Sequence, residues 1–126
     1  MKNKLFIAVA AVMLIATACD KSSDPEITIT MQPAANSTYY WGEQSVSLSV
    51  EASVTLGATL SYQWYSNTSN SSTGGTPVSG ATNASYTIPT TLDEGIYYYF
   101  CEVSATGSAT SVRSNVAKVT VVTGVG

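Results

Sequence analysis

The residues able to carry covalent or acid–base chemistry are few: two cysteines, Cys19 and Cys101, eight carboxylates and no histidine. A catalytic cysteine needs a neighbouring base or cation to form its thiolate, and the missing histidine removes the usual partner. A glycosidase needs two carboxylates across a bond, whereas Asp93 and Glu94 are adjacent in a predicted turn. Nor does the sequence contain a His/Cys cluster with metal-ligand spacing. We therefore expect no enzyme activity, no cofactor and no metal, and we interpret Asp93 and Glu94 as solvated turn residues rather than calcium ligands.

The N-terminus has the layout of a secretory signal. Lys2 and Lys4 form a short positive segment, residues 5–15 form an apolar run, and small residues lead to Ala18 just before Cys19. This order of segments is typical of a signal peptide. The alternative is a transmembrane helix, but the apolar run ends near Ala18, short of the ~20 residues that a bilayer span needs.

The residues around Cys19 resemble a bacterial lipobox, the motif in which the signal is cut before a cysteine that then carries lipids. Ala16 stands three residues before Cys19, where lipoboxes favour leucine. The alternative, cleavage after Ala18 without acylation, would leave an exposed thiol in an oxidising compartment. The resemblance therefore implies a lipid-anchored protein of the cell envelope, at the outer membrane, with the periplasmic or surface-exposed side left open.

Composition bounds the remainder of the chain. Without Lys2 and Lys4, three basic residues remain against eight acids, a formal net charge of −5. Nucleic-acid binding needs basic residues that neutralise phosphates, so that partner is excluded. The expected organisation is a signal peptide at 1–18, a lipidated cysteine and tether at 19–25, one domain at 26–122 and a short tail at 123–126.

Beyond the signal, apolar residues alternate with a period of two, which predicts an all-β chain. The predicted strands are 27–31, 45–54, 60–66, 85–89, 96–105 and 116–122, with a weak strand at Val78. Each inward series is apolar, for example Leu48 and Val50 in the second strand, and Met31 is assigned to the inward face of the first. Short strands separated by polar turns predict a two-sheet sandwich.

Three segments together resemble an immunoglobulin-like domain. GEQSVSLSV resembles strand B, with Val50 where the first disulfide cysteine normally stands, and YQWY resembles strand C, with Trp64 as the core tryptophan. LDEGIYYYFC resembles the turn into strand F, with Cys101 at the second cysteine position. The segment from Ser61 to Pro89 is also similar to Ig-like domains of Bacteroides-type surface proteins. The runner-up, a fibronectin type III domain, normally carries its tryptophan on strand B.

The resemblance implies an antiparallel immunoglobulin-like β-sandwich without the inter-sheet disulfide. Cys101 is then expected to be buried, unpaired and packed near Val50 and Trp64 as a small hydrophobe. A tyrosine-corner residue should hydrogen-bond back to the preceding turn, and both Tyr97 and Tyr99 are candidates because both point inward.

Outward-facing aromatic residues on strands C and F suggest an interface. Tyr98 and Phe100 are expected to face outward on strand F, beside Tyr65 and Gln63 on strand C. The directions of Tyr39, Tyr40 and Trp41, which could extend this surface, are not set by the pattern. Exposed aromatic patches mark interaction sites, although cross-strand packing alone would also favour such residues.

The sequence therefore predicts a membrane-anchored recognition or adhesion module that binds a protein or a glycan, with a second copy of the chain among the possible partners. The alternative is a structural spacer or an assembly subunit of a larger envelope complex. A fold of this type serves both roles.

We predict that Cys19→Ala releases the protein from the membrane fraction and abolishes globomycin-sensitive processing, because the lipids would be attached through this thiol. Cell fractionation followed by immunoblotting measures both effects, with Cys101→Ala as the matched cysteine control. If Cys19→Ala fractionates with membranes like the wild type, the lipoprotein interpretation is wrong.

Overall fold

The computed structural model describes residues 24–43 and 45–123, so Cys19, the signal 1–18 and the residues 124–126 of the tail lie outside the described residues. Within these two ranges, no helix is long and apolar enough to cross a membrane. The described strands are β1 Ile27–Met31, β2 Asn36–Tyr40, β3 Ser47–Ser49, β4 Glu51–Val54, β5 Leu60–Asn67, β6 Thr76–Pro77, β7 Ser85–Thr87, β8 Gly95–Ala105, β9 Val112–Arg113 and β10 Ala117–Val122. The predicted all-β sandwich is confirmed.

The larger sheet has the order β2–β10–β8–β5–β6, and β9 pairs with β8 beyond the start of β10. β2 runs parallel to β10, whereas the other neighbours are antiparallel. The longest ladder joins β5 to β8, from Leu60 opposite Ala105 to Asn67 opposite Tyr98. This sheet therefore carries the central core residues on its inner face and the predicted interface residues on its outer face.

The opposite layer contains two strand pairs, β1 with β4 and β3 with β7. The predicted strand 45–54 is interrupted at Val50, which lies between β3 and β4. Val50 is 2% exposed, and its N–H donates to the carbonyl of Ala84 at 3.0 Å. The interruption lets one segment pair with β7 through its first half and with β1 through its second half.

Trp64 is the largest fully buried side chain of the core. Its indole Nε1–H donates to the carbonyl of Asn83 at 2.8 Å, and its ring stacks on Tyr86 with centroids 6.1 Å apart. The hydrogen bond matters because a buried indole N–H without an acceptor would cost about 1–3 kcal/mol. Trp64 therefore links the two layers of the sandwich through packing and through a hydrogen bond to the loop before β7.

Cys101 lies opposite Trp64 in the β5–β8 ladder and is fully buried as a free thiol in the same core cluster as Val50. Burial raises the pKa of the Cys101 thiol to about 11, so the thiol stays protonated at neutral pH. The Cys101 backbone is held by Ser114, which is also buried. The N–H of Cys101 donates to Ser114 Oγ at 2.9 Å, and the N–H of Ser114 donates to the Cys101 carbonyl at 2.8 Å.

The structure separates the two candidate tyrosines. The hydroxyl of Tyr97 donates to the carbonyl of Asp93 at 2.7 Å, four residues upstream, so Tyr97 is the corner tyrosine. Tyr99 is 4% exposed and packs against Tyr86 with ring centroids 5.4 Å apart. Burial raises the pKa of Tyr99 well above its usual value, which is the behaviour of a core side chain.

The structure departs from the predicted pattern in several places. The weak strand expected at Val78 is replaced by β6 at Thr76–Pro77, and β9 at Val112–Arg113 was not predicted. Met31 is 41% exposed rather than inward, because the β1–β4 register shifts between Ile29 and Met31 and turns the end of the strand outward. The pattern also missed β2, whose polar sequence NSTYY carries little alternation of hydrophobicity. Its place is set instead by parallel pairing with β10, which is a long-range contact.

We predict that Cys101→Val changes the free energy of unfolding by about 1 kcal/mol or less, because one small core hydrophobe replaces another. Trp64→Ala should lower it by ~3–5 kcal/mol through the loss of a large core side chain. Denaturant unfolding measures both changes.

Thiol labelling of Cys101 should be slow in the native protein and fast in denaturant, and fast labelling of the native state would contradict the burial of this thiol.

Candidate functional site

The outer face of the larger sheet is where the sequence places its interface. The ladder brings Tyr65 opposite Phe100 and Gln63 opposite Glu102, so the predicted neighbours do meet across β5 and β8. The outer face has two halves that differ in exposure to solvent, and these four residues lie in the first of them. One half is covered by protein, and the other is open.

Phe100 corrects the prediction of an exposed aromatic residue, because its side chain is 0% exposed. The ring of Tyr65 stacks on it in parallel, with centroids 5.1 Å apart and planes at 4°. Gly75 passes so close that a Cβ there would lie 3.2 Å from Cε2 of Phe100, and its φ of +87° also favours glycine. The loop between β5 and β6 thus folds back over the sheet and removes Phe100 from solvent.

Arg113 holds this covered half together. Its guanidinium lies 4.9 Å from the ring centroid of Phe100 and 5.1 Å from that of Tyr65. It forms a salt bridge to Glu102 at 3.3 Å and donates to the carbonyl of Ser72 at 2.6 Å. A planar guanidinium suits this combination because it can stack on rings while its N–H groups reach carbonyls at its edge. The cluster therefore uses the rings of Tyr65 and Phe100 to hold the loop 68–75 against the sheet.

Gln63 is likewise used internally. Its side-chain Nε2 donates to the carbonyls of Val78 at 2.8 Å and Trp64 at 2.9 Å, and the residue is half-buried. These bonds tie the segment after β6 to the edge of β5. Phe100 is therefore buried rather than exposed as predicted, and the side-chain amide of Gln63 is bonded within the domain. Tyr98, which is half-buried, is the one predicted outward aromatic that lies outside the Arg113 cluster.

The open half consists of outward residues on three neighbouring strands, β2, β10 and the first half of β8. We call it the open strip, and its residues are Thr38, Tyr40, Ile96, Tyr98, Lys118, Thr120 and Val122. The register places Thr120 between Thr38 and Ile96, and Val122 beside Tyr40. Tyr40 and Ile96 are 50% and 52% exposed, respectively. Among the described residues, this face gathers large side chains that the core does not use.

Trp41 borders the open strip at the end of the sandwich and is 46% exposed. Its indole Nε1–H donates to the carbonyl of Leu92 at 3.1 Å, and its backbone N–H donates to the carbonyl of Val122 at 3.0 Å. Both ends of the residue are thereby held, so the indole is an ordered part of the rim. Tyr39, by contrast, is 4% exposed and belongs to the core. The three directions left open by the sequence are thus one inward and two exposed.

Ile96 and Arg113 are residues of this face that the sequence-based prediction did not single out. Ile96 has the same outward parity as Tyr98 on the predicted strand, so the alternation contained the signal. Arg113 lies in the two-residue strand β9, and its role depends on a loop forty residues earlier in the chain. No local pattern of residues indicates such a contact.

A concave surface lies at the end of the sandwich opposite Trp41. A shallow depression there is lined by Asp24, Pro25, Glu26, Ser108 and Thr110, among others. Over residues 24–43 and 45–123, no group of three or more His, Cys, Asp or Glu side chains is placed to hold a metal ion. The depression holds two carboxylates without a third ligand of this kind.

We predict that Arg113→Ala loosens the loop 68–75 and lowers the free energy of unfolding by about 1–3 kcal/mol, because a partly buried ion pair and two ring contacts are lost. Arg113→Lys should recover only part of this, since an ammonium cannot reproduce the planar stack. Denaturant unfolding and cleavage of the loop by a non-specific protease measure the two effects. Lys118→Ala is the matched control, and equal behaviour of the Lys118 and Arg113 variants would contradict the assignment.

Comparison with solved structures shows similarity to immunoglobulin and PKD domains. The PKD domain of human KIAA0319 aligns with a TM-score of 0.51 at 20% identity, covering 76% of this chain and 80% of that one. Sidekick-1 immunoglobulin domains 1–4 align with a TM-score of 0.53 at 19% identity, covering 93% of this chain and 28% of that one. The titin M10–obscurin-like 1 Ig complex gives a TM-score of 0.50 at 16% identity, covering 79% and 96%. At these identities the likeness establishes an immunoglobulin-like fold.

The same comparison gives the scale of the chain. It spans about a quarter of the four-domain Sidekick-1 chain, in keeping with a single immunoglobulin-like unit. No curated protein is detectably similar in sequence. A family model described as a domain of unknown function, DUF8696, matches residues 12–123, which include every described strand. The chain belongs to this family.

Proposed function

We propose that this protein is a non-catalytic recognition module of the cell envelope, anchored by lipid at Cys19, which binds a protein or glycan partner through the open strip. The observation that supports this most is the exposure of Tyr40 and Ile96 on one sheet face, with Trp41 at its rim. Clusters of exposed large hydrophobic side chains on a soluble domain mark interaction sites more often than scattered ones. The other exposed large side chains, Met31 and Leu56, lie on other segments of the described chain.

The covered half of the same face strengthens the assignment. In this half, a loop held by Arg113 covers the aromatic side chains of Phe100 and Tyr65. The open strip has no such cover among the described residues. An exposed aromatic surface that remains open next to a covered one is best explained by a partner.

The position of the open strip suits a membrane-anchored receptor. Asp24 and Glu26 lie at the end of the sandwich near Thr55, whose Oγ1 accepts from the Glu26 N–H at 2.8 Å. Trp41 and the end of β10 lie at the opposite end. β8 runs between the two ends with eleven residues, a length of about 35 Å. A lipid on Cys19, five residues before Asp24, would leave a tether of at most ~18 Å, so the strip would lie on the half of the sandwich that is farther from the anchored end.

The fold comparisons support a binding role only in general terms. Immunoglobulin-like sandwiches serve many functions, so the fold itself does not choose a partner. One neighbour is a complex of titin M10 with obscurin-like 1 Ig. That complex is one example of a related fold in contact with a protein partner, and it does not indicate which surface is used here.

We predict that Tyr40→Ser combined with Ile96→Ser reduces partner binding at least tenfold, because both substitutions remove exposed apolar surface from the strip. Full-length protein in liposomes is tested against intact cells and against isolated envelope polysaccharide and protein fractions. Met31→Ser combined with Leu56→Ser is the matched control and should bind like the wild type. Circular dichroism confirms that each variant is folded.

Two outcomes would contradict the proposal. If the strip variant and the control bind equally well, the strip is only scaffold and another surface meets the partner. If the wild type binds none of these fractions, the domain acts as a spacer or an assembly subunit.

A further inference from the structure

The open strip differs from a protein-binding surface in its size. Its rim and face expose Tyr40, Trp41 and Ile96 by about half each. If a large side chain exposes ~200 Å² when free, the three together offer roughly 300 Å² of apolar surface. A stable protein interface needs about 800 Å² on each partner. A little over half of such an interface is apolar, so a stable protein complex uses about 450 Å² of apolar surface on each partner. The three side chains offer less than this, and their area suits a ligand that stacks on one or two rings.

The charge of the strip further limits the classes of ligand that could bind there. Lys118 is its one charged residue, in a protein whose acids outnumber its basic residues. A nucleotide, an acidic polysaccharide or a phosphorylated ligand would need several cations to compensate its charge. The strip therefore suits a neutral ligand.

The strip also carries polar groups that could form hydrogen bonds to a ligand. Thr38 and Thr120 stand directly opposite each other on β2 and β10, between the aromatic residues Tyr40 and Tyr98. In the part of the chain that the structure describes, neither threonine hydroxyl is hydrogen-bonded to another group of the protein. A sugar ring has apolar C–H faces and a rim of hydroxyl groups, so it needs both a ring to stack on and such polar partners at its edge.

The geometry gives the two tyrosines a separation that suits a chain of sugars. Tyr40 and Tyr98 lie two strand spacings apart across the sheet and four residues apart along it, about 17 Å in all. Both stand on strands of the larger sheet. Tyr40 is followed by Trp41, whose indole is fixed by its hydrogen bond to the Leu92 carbonyl. Aromatic rings that are carried by strands are already ordered, so little conformational entropy is lost when a ligand binds. This low cost favours the binding of a ligand with weak individual contacts, such as a sugar chain.

We propose that the open strip is a binding platform for a neutral glycan chain, with Tyr40 and Tyr98 stacking on separate sugar rings and Thr38 and Thr120 bonding hydroxyl groups between them. This rests on the proposed recognition function and names its ligand class. Two stacking points imply that affinity grows with chain length until the ligand spans both tyrosines.

The test uses full-length protein in detergent and titrates it calorimetrically with cellohexaose, maltohexaose, xylohexaose and mannohexaose, together with the corresponding disaccharides. Tryptophan emission gives a second readout, because Trp41 borders the strip whereas Trp64 is fully buried. We expect at least one hexasaccharide to bind and to shift the emission, and its disaccharide to bind at least tenfold more weakly.

The variants separate stacking from general effects on the fold. Tyr40→Ala and Tyr98→Ala should each weaken hexasaccharide binding by about tenfold, the loss expected for one stacked ring. Tyr98→Phe, which keeps the ring, should bind within threefold of the wild type, and Leu56→Ala, at the opposite end of the sandwich, should have no effect. Tyr40 lies at a strand end and is half exposed, so its variant should fold even if Tyr98→Ala does not.

Three results would overturn the glycan assignment. The first is that none of the neutral oligosaccharides binds; the second is that binding survives both alanine substitutions. The third is concentration-dependent self-association in sedimentation that the same substitutions abolish, which would show that a second copy covers the strip. If protein fractions bind through the strip but sugars do not, the recognition function stands and only the glycan assignment fails.

Discussion

The ladder between β5 and β8 is the constraint on which the rest of the structure depends. It aligns Trp64 with Cys101 on the inner face and Tyr65 with Phe100 on the outer face. Because side chains alternate strictly along both strands, this one register decides which residues form the core and which form the outer surface. A slip of one residue would exchange the two sets, so the burial of Trp64 and the stacking of Tyr65 on Phe100 support the same alignment.

The core of this sandwich works without the disulfide of immunoglobulin domains. Val50 and Cys101 are both buried, and the Cys101 backbone is held by two hydrogen bonds to Ser114. An inter-sheet disulfide typically contributes 2–4 kcal/mol, so side-chain packing around Trp64 and the hydrogen bond to Asn83 must supply that cohesion here. The raised pKa of the thiol follows from this packing and keeps Cys101 chemically inert at neutral pH.

The sequence predicted the fold and the inner face because both depend on alternation, which is local. Leu48, Val50 and Trp64 needed only the parity of their positions. The exposure of the outer face could not be predicted in the same way. Phe100 has outward parity, but a loop fastened by Arg113 from another strand covers it. The exposure of a side chain on the outer face depends on whether a loop covers it. Such a loop is held by long-range contacts, which the alternation of residues along a strand does not predict.

The two halves of the outer face show why such a fold can gain a binding surface at small cost. The loop 68–75 covers Phe100, and Arg113 holds this loop by donating hydrogen bonds to the carbonyls of Ser72 and Gly74. No described segment lies over Tyr40 and Ile96, which stand on strands whose inner residues Tyr39, Val119 and Val121 are buried. The outward side chains can therefore vary without disturbing the core that holds their strands. Recognition through the strip would thus combine a rigid backbone with side chains that the fold itself does not require.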